Sequence, residues 1–183
     1  MPGQVRIIGG RWRGTRLPVA GVEGLRPTSD RARETLFNWL LPKLPGARVL
    51  DLFAGTGALG FEALSRGARE AVLVERDAGL CASLRATAAR LQGGEAARIV
   101  HQDALAFLRS WHGAPFDVVF VDPPFAAGLW EEVLPALEPV AAPDAWLYVE
   151  SPPHGGIEPG PAWAPHREGS TRHARHALYR RAA

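Results

Sequence analysis

At 183 residues, the chain is long enough for one well-buried core and short for two. Its apolar fraction of 46% and charged fraction of 22% are ordinary for a globular domain. The sequence lacks a secretory signal and any apolar stretch near the roughly 18 residues that span a membrane, and its one cysteine, Cys81, excludes an intramolecular disulfide. These features predict a cytoplasmic protein with one globular domain.

The net charge is only +2, but the charges are unevenly distributed. Residues 1–33 contain seven arginines against two acidic residues. Residues 166–181 contain five more arginines and three histidines against one acidic residue. Basic ends around an acidic middle indicate a polyanionic partner, most plausibly nucleic acid, although solvated surface arginines are the alternative.

The N-terminal part predicts two elements. Residues 4–26 combine short apolar runs, paired glycines and arginines, which is typical of a small β-hairpin or an extended arm. Thr28-Ser29-Asp30 is a helix-start signal, and Pro42 ends the helix that follows. We therefore expect a basic arm or hairpin over residues 1–27 and the main domain over residues 28–183.

From residue 47 onward, apolar strands alternate with helical segments. The predicted strands are Arg48–Phe53, Ala71–Glu75, Arg98–His101, Phe116–Val121 and Ala145–Glu150. The helices between them are Ala58–Arg66, Asp77–Leu91, Asp103–Trp111 and Leu129–Leu137. A Pro- and Gly-rich loop from Pro152 to Pro165 and a final antiparallel strand over Arg172–Arg180 complete the chain. This alternation predicts an α/β fold with a doubly wound, mostly parallel sheet.

A glycine-rich turn follows the first predicted strand. Gly55-Thr56-Gly57-Ala58-Leu59-Gly60 satisfies the G-x-G-x-x-G pattern of nucleoside cofactor loops. Glu75, 20 residues beyond Gly55, is placed to accept hydrogen bonds from a ribose diol. These features are compatible with a nicotinamide dinucleotide or with S-adenosylmethionine (SAM), and a glycine-rich connection without any ligand is the third interpretation.

Two acidic residues favour SAM. Asp51 lies just before the loop, where it would repel a pyrophosphate but attract the sulfonium and amino groups of SAM. Asp103 follows the third strand and is placed to bond an adenine amino group. The predicted cofactor residues are Asp51, Phe53, Gly55, Thr56, Gly57, Glu75, Arg76, Asp103, Ala104 and Asp122.

The tetrapeptide Asp122-Pro123-Pro124-Phe125 directly follows the fourth strand and predicts the chemistry. The Asp122 carboxylate and the Pro123 carbonyl can each accept an N–H bond from a planar amine and localise its lone pair. Consecutive prolines fix φ and so preset the carbonyl direction, and Phe125 can stack on an extruded base. These three residues, Asp122, Pro123 and Phe125, are the predicted catalytic set for methyl transfer to nitrogen, against the alternative of a Pro-Pro turn that merely ends a strand.

Other reactive residue types offer weaker chemistry. Cys81 lies within a predicted helix without a neighbouring base, so a small core residue is expected rather than a nucleophile. His166, His173 and His176 lack partners at metal-ligand spacing, so no metal is expected.

With these motifs in view, the chain resembles the bacterial 16S rRNA guanine-N2 methyltransferases of the RsmD type. The resemblance covers residues 5–14, 25–40, 51–60, 62–66, 120–125 and 148–150. It implies a seven-stranded, Rossmann-like class I fold, SAM as donor, and a guanosine of 16S rRNA in the small ribosomal subunit or its assembly intermediate as acceptor. The enzyme is expected to be a monomer.

The resemblance also implies roles for N-terminal residues. The helix at 29–41 is expected to close over the methionine end of the cofactor, which makes Thr28, Arg31 and Arg33 further candidates. Arg11, Arg13 and Arg16 would contact phosphates, and with Arg31 and Arg33 they form the predicted nucleic-acid set. The alternatives left open are an adenine-N6 methylase of DNA or RNA, a nicotinamide-dependent oxidoreductase and a non-catalytic RNA-binding assembly factor.

Overall fold

The structure, a computed structural model, describes residues 5–19, 28–125 and 128–182. In these residues the helices are α1 (Asp30–Leu40), α2 (Ala58–Ser65), α3 (Ala78–Arg90), α4 (Ala104–Ser110) and α5 (Trp130–Ala136). The strands are β1 (Val5–Arg6), β2 (Arg16–Leu17), β3 (Arg48–Asp51), β4 (Glu70–Glu75), β5 (Ala97–His101), β6 (Phe116–Val121), β7 (Ala141–Ser151), β8 (Trp163–Ser170) and β9 (Arg175–Arg181).

The described strands β3 to β9 form a seven-stranded sheet in the order β5-β4-β3-β6-β7-β9-β8. The pairs among β3, β4, β5, β6 and β7 are parallel, and β9 is antiparallel to both β7 and β8. From β3 the chain adds β4 and β5 on one side of the sheet, and it then adds β6 and β7 on the other side, so that β3 and β6 lie side by side with Asp51 opposite Phe120. The predicted α/β fold is therefore confirmed, and β3–β6 is its topological switch point.

Helices cover both faces of the sheet because the central strands carry apolar side chains on both sides. Residues 5–17, α1, α2 and α3 pack on one face, where Phe37, Phe61 and Phe120 belong to one buried cluster. Helices α4 and α5 pack on the other face, around Phe107, Phe116 and Trp130. Within the described residues no helix is long and apolar enough to cross a membrane.

Two strands differ from the sequence-based expectation. The predicted loop from Pro152 to Pro165 contains the start of β8, which the sequence analysis missed. β8 lies at the sheet edge, pairs only with β9 and changes register next to Pro165, so it lacks the apolar periodicity of a buried strand. β7 begins at Ala141 rather than Ala145, and a register shift against β6 accompanies the additional residues.

The basic N-terminal segment forms the predicted small hairpin. β1 and β2 pair antiparallel, with Val5 opposite Leu17, and Ile7 and Trp12 are buried against the main body. Residues 1–4 and 20–27 of the predicted arm lie outside the described residues. The division at residue 27 stays a prediction.

Glu62 on α2 holds this hairpin and α1 in place. Its side chain is fully buried. One carboxylate oxygen accepts the Ile8 amide at 2.8 Å and the Arg33 guanidinium at 3.3 Å. The other accepts the Gly9 amide at 2.9 Å and Arg66 Nε at 2.8 Å. A buried carboxylate needs such partners because the charge has lost its water.

We expect Glu62→Ala to lower the free energy of unfolding by on the order of 3 kcal/mol, because it removes the buried partner of Arg33 and the acceptor of the Ile8 and Gly9 amides. Urea denaturation of the full chain measures this loss. Glu34→Ala, at an exposed position on α1, is the matched control and should change stability by less than about 0.5 kcal/mol. Equal effects of the two substitutions would contradict the anchoring role of Glu62.

Candidate active site

Acidic side chains gather at the carboxyl edge of the parallel strands. Asp51 ends β3, Glu75 ends β4, Asp103 follows β5 and Asp122 follows β6. The sheet order brings these strand ends next to one another, on both sides of the β3–β6 switch point. Ligands of open α/β sheets bind in this crevice.

The glycine-rich turn has a backbone that only glycine supports without strain. Gly55 and Gly57 have φ of 56° and 84°, in the left-handed region. A Cβ on Gly57 would lie 2.5 Å from ring carbons of Phe61, so the turn packs too closely for a side chain. Gly57 then begins α2, and Thr56, almost fully buried, accepts the Ala58 amide through its hydroxyl at 3.3 Å. The turn thus presents backbone at the mouth of the crevice.

Asp51 is a buried carboxyl with an altered acidity. It is only 1% exposed, and its Oδ2 accepts the Gly60 amide of α2 at 3.0 Å. Burial, with a smaller contribution from the negative charge of Glu75, raises the pKa of Asp51 to about 7, although backbone hydrogen bonds from Gly60 and Phe53 oppose the shift. A cationic ligand beside Asp51 would compensate for this unfavourable burial.

Glu75 and Asp103 occupy the positions predicted for ribose and adenine contacts. Glu75 Oε1 accepts the Gly55 amide at 3.1 Å, and Oε2 accepts the Asp77 amide at 2.8 Å, so the acid is fixed against the glycine turn. Asp103 is exposed and caps α4 by accepting the Ala106 amide at 3.1 Å. Arg76 is exposed, and its carbonyl accepts His101 Nε2 at 2.9 Å, whereas the Ala104 side chain is buried.

The tetrapeptide Asp122-Pro123-Pro124-Phe125 leaves the end of β6 at the same edge. Asp122 is partly exposed and Pro123 is buried. Phe125 is partly exposed and packs on Trp130 of α5, with 5.7 Å between ring centroids. The carboxyl thus lies at the strand end beside the crevice and the ring lies against α5, and their action as a clamp on a planar amine stays a prediction.

Asp122 is electrostatically linked to Glu150 at the end of β7. Burial raises the pKa of Asp122 well above its usual range, and the negative charge of Glu150, a hydrogen bond with it, and the charge of Asp51 add to the shift. Burial alone would also raise the pKa of Glu150, but hydrogen bonds from His176, Asp122 and Thr28 lower it to about 2. The interaction therefore makes Asp122 the less acidic carboxyl of the pair.

Three donors converge on one oxygen of Glu150. Its Oε1 accepts the Thr28 hydroxyl and the Tyr148 hydroxyl, each at 2.9 Å, and lies 3.2 Å from His176 Nδ1. The Tyr148 hydroxyl is also 2.7 Å from His176 Nδ1. If Nδ1 carries the imidazole proton, both Nδ1 and Tyr148 direct their hydrogens towards the carboxylate. Burial, with Glu150 and Asp122 nearby, also raises the pKa of Tyr148.

The structure corrects one predicted nucleic-acid contact. Arg33 is 0% exposed, and its guanidinium bonds Glu62, Asp30 and the Arg6 carbonyl. It stabilises the docking of α1 and is inaccessible to a phosphate. The other four predicted phosphate contacts stay predictions, because their side chains are exposed: Arg11, Arg13, Arg16 and Arg31. The Arg11 guanidinium also stacks over the Trp12 ring, 4.3 Å from its centroid.

Thr28 also has a partner that the sequence analysis did not foresee. Its hydroxyl donates to Glu150, so it contacts the β7 carboxylate directly. Glu150 itself was missed, although an acidic residue at the end of a predicted strand is the same signal that identified Asp51 and Glu75. Tyr148 and His176 had no such signal in the sequence. His176 lies 26 residues after Glu150 and reaches it only because β9 pairs with β7.

The described residues contain no group of three or more His, Cys, Asp or Glu side chains arranged to hold a metal ion. The donor set instead fits a cationic nucleoside: backbone at a glycine turn, a carboxylate at each of the β3, β4 and β5 ends, and a raised pKa at Asp51. Fold and site together define a class I SAM-dependent methyltransferase.

Comparison with known proteins gives the family. The family model described as conserved hypothetical protein 95 matches residues 5–180. The chain is 50% identical to ribosomal RNA small subunit methyltransferase D from Escherichia coli K12, over 99% of this chain and 92% of that protein. The Haemophilus influenzae protein of the same name is 46% identical over 81% of this chain and 79% of its own length. The chain belongs to the RsmD family, as the sequence resemblance predicted.

Solved structures agree with this assignment. A putative methyltransferase, yhhF, from E. coli superposes with a TM-score of 0.86 at 48% identity, covering 99% of both chains. A Thermus thermophilus 16S rRNA N2 methyltransferase, RsmC, in complex with AdoMet and guanosine superposes with a TM-score of 0.72 at 25% identity. That alignment covers 98% of this chain and 50% of RsmC.

The acidity of Asp51 predicts that SAM binding depends on pH. At pH 6 the carboxyl is mostly protonated in the free protein, and a bound cation favours its ionised form, so binding releases a proton. The dissociation constant of SAM should therefore rise by up to about tenfold for each pH unit below 7. Isothermal titration calorimetry at pH 6, 7 and 8, in buffers of different ionisation enthalpy, measures both affinity and proton release.

The control for this experiment is Asp51→Asn, which cannot titrate at this position. It should bind SAM more weakly than wild type at pH 8 and lose affinity less steeply as the pH falls. If wild type released no proton on binding SAM between pH 6 and 8, the role of Asp51 would be contradicted.

Proposed function

We propose that this protein transfers a methyl group from SAM to the exocyclic N2 amino group of a guanosine in 16S rRNA, within the small ribosomal subunit or an assembly intermediate. The observation that carries the proposal is the position of Asp122-Pro123-Pro124-Phe125 beside the Asp51 turn, across the β3–β6 switch point. The enzyme acts as a cytoplasmic monomer. The relatives named as small-subunit rRNA methyltransferases support the RNA acceptor, and the guanosine bound to RsmC supports the base.

Different residues of the crevice bind the cofactor and the target base. SAM supplies an electrophilic methyl group when bound. Asp51, Glu75 and Asp103 hold its cationic, ribose and adenine parts, and the glycine turn admits it closely. Asp122 and the Pro123 carbonyl accept hydrogen bonds from the target amine, and Phe125 stacks on the base. Positioning the nitrogen in line with the methyl group contributes most of the rate, since effective molarity removes several kcal/mol from the barrier.

The basic hairpin contacts RNA at a distance from the reacting base. The Arg11 amide bonds the Ser65 carbonyl at the end of α2, and Trp12 Nε1 bonds the Gln92 carbonyl after the end of α3. Helix α2 begins at the crevice and rises roughly 12 Å over its eight residues. Arg11 and Arg13 therefore lie towards the opposite edge of the sheet, which suits a structured RNA better than a single nucleotide.

Asp122→Ala should retain SAM binding and lose turnover by on the order of 100-fold or more, because the amine loses its side-chain acceptor. The assay uses labelled SAM and small subunits from cells lacking this enzyme, followed by mass spectrometry of the digested RNA. Asp144→Ala, at an exposed carboxylate paired with Lys43, is the control and should keep full turnover. Undiminished methylation by Asp122→Ala would rule out the amine-acceptor mechanism.

A methylation assay, a thermal-shift assay and an RNA-binding assay distinguish the three alternative functions. Methylation of duplex DNA at adenine in place of small subunits would establish the adenine-N6 enzyme. Thermal protection by NAD but not by SAM would establish the oxidoreductase. Binding of RNA without methyl transfer would establish an assembly factor.

Replacing Arg11, Arg13 and Arg16 by glutamine should weaken RNA binding. It should also reduce the slope of log K against log salt concentration by about 0.7–0.9 for each phosphate that the variant no longer neutralises. Filter binding to small-subunit RNA between 50 and 200 mM salt, roughly the range over which such ion pairs are screened, measures this slope. Glutamine at Arg85, Arg98 and Arg109, which are also exposed and lie outside both basic ends, serves as the matched control. The two triple variants would show the same slope if the hairpin arginines were only solvated.

A further inference from the structure

We propose that Glu150 is a positioning residue for methyl transfer, which fixes the Asp122 carboxyl and couples it to Thr28 at the start of the α1 region. The proposal deepens the proposed function and rests on it for the identity of the reaction. Nothing in the motif Asp-Pro-Pro-Phe itself assigns a role to Glu150, since it lies on a different strand.

The register of the sheet places Glu150 beside Asp122. β6 and β7 are parallel, with Phe120 opposite Tyr148 and Val121 opposite Val149. Asp122 and Glu150 are the next residues on the two strands, and they emerge together at the carboxyl edge. Both side chains then lie at the floor of the crevice, where the carboxyl of Glu150 is almost fully removed from water.

Glu150 is itself immobilised. Its backbone carbonyl accepts Trp130 Nε1 at 3.1 Å, and its Oε1 takes the hydroxyls of Thr28 and Tyr148. A carboxylate that accepts hydrogen bonds from several converging donors has one preferred orientation, and it therefore restricts the orientation of the group that it faces. Asp122 would otherwise rotate about its terminal torsion, which is broad for this residue type.

Both ends of the tetrapeptide connect to this residue. Asp122 faces the Glu150 carboxylate, and Phe125 packs on Trp130, whose indole nitrogen bonds the Glu150 carbonyl. The amine acceptor and the stacking ring are therefore held against one common partner. Misplacing either by about 1 Å can lower the rate on the order of 100-fold.

Thr28 extends the link to the other wall of the crevice. It comes two residues before α1, whose docking depends on Arg33 and Glu62. The hydroxyl donates to Glu150 at 2.9 Å, and its proximity slightly opposes the rise in the pKa of Asp122. This hydrogen bond connects the start of α1 to the residue that faces the Asp122 carboxyl.

The effect of the Glu150 charge on the pKa of Asp122 distinguishes a positioning role of Glu150 from a packing role. The titratable groups that face Asp122 are Asp51 from β3, Glu150 and Tyr148 from β7, and His176 through Glu150 from β9. Of these, Glu150 contributes most to raising the pKa of Asp122. Removing its charge should therefore lower the pKa of Asp122, which a purely structural change would not do.

The experiment compares wild type with Glu150→Gln, Thr28→Val and the double variant, with Glu131→Gln at an exposed position of α5 as control. The first measurement is carbon-13 NMR titration of the Asp122 carboxyl in the SAM-free protein. In Glu150→Gln the midpoint should move to lower pH, whereas in Glu131→Gln it should stay at the wild-type value.

The second measurement is kcat and KM with small subunits at saturating SAM. Glu150→Gln should lower kcat by on the order of 100-fold with a much smaller change in KM. Thr28→Val should lower kcat less, and the double variant should lose little more than Glu150→Gln alone, because both act through one contact. An Asp122 midpoint that stays in place, a kcat that falls less than about fivefold, or effects of the two substitutions that multiply would overturn the proposal.

Failure of the proposed function gives a different result. If wild type methylates no small-subunit RNA, the proposed function is wrong, while the NMR titration still decides whether Glu150 controls Asp122. If wild type is active and the titration is unaffected by Glu150→Gln, only the positioning role is lost.

Discussion

The packing of the N-terminal hairpin, α1 and α2 on one face of the sheet depends on one buried carboxylate, Glu62. Its two oxygens accept two backbone amides from the N-terminal hairpin and two arginine side chains, from α1 and α2. A charge in the interior is tolerated only when it is fully bonded, so these four donors have a single compatible arrangement. The hairpin, α1 and α2 are thereby joined on one face of the sheet, and α1 is presented to the crevice with Thr28 next to Glu150.

The crevice itself is a concentration of negative charge in a place poor in water. Asp51 and Asp122 both have pKa values raised first by burial, and each is made less acidic still by a neighbouring carboxylate. Such a site is unfavourable when empty and favourable around a cation. SAM carries positive charge at the sulfonium and the amino group, so under the proposed function this unfavourable burial would select for the charged donor. The neutral sulfur that remains after transfer would be held less well.

Much of the fold and half of the site follow from local patterns. β6 was predicted with its observed bounds because six consecutive residues read as a buried strand, and the glycine turn followed from its spacing. Asp51, Glu75, Asp103 and Asp122 were found because parallel strands end at one edge and ligands bind there. β8 was not found, since an edge strand with a proline and a glycine has no buried face to produce periodicity.

The errors concern residues whose environment comes from distant parts of the chain. Arg33 has the same sequence character as Arg31, yet one is fully buried and the other is exposed, because only Arg33 points at Glu62 on α2. His176 looked unpartnered in sequence and is within 3.2 Å of Glu150 through the antiparallel pairing of β9 with β7.

The amino-acid sequence by itself therefore determined the family and the alternation of strands and helices. It also predicted the chemistry: a turn for a nucleoside cofactor, a carboxyl and proline carbonyl for an amine, and a basic segment for a polyanion. These depend on short motifs whose backbone geometry is local. Only the tertiary structure decided which charges are buried and which carboxyls become less acidic. Desolvation and the approach of Glu150, Asp122 and Thr28 exist only after strands and helices from across the chain have packed together.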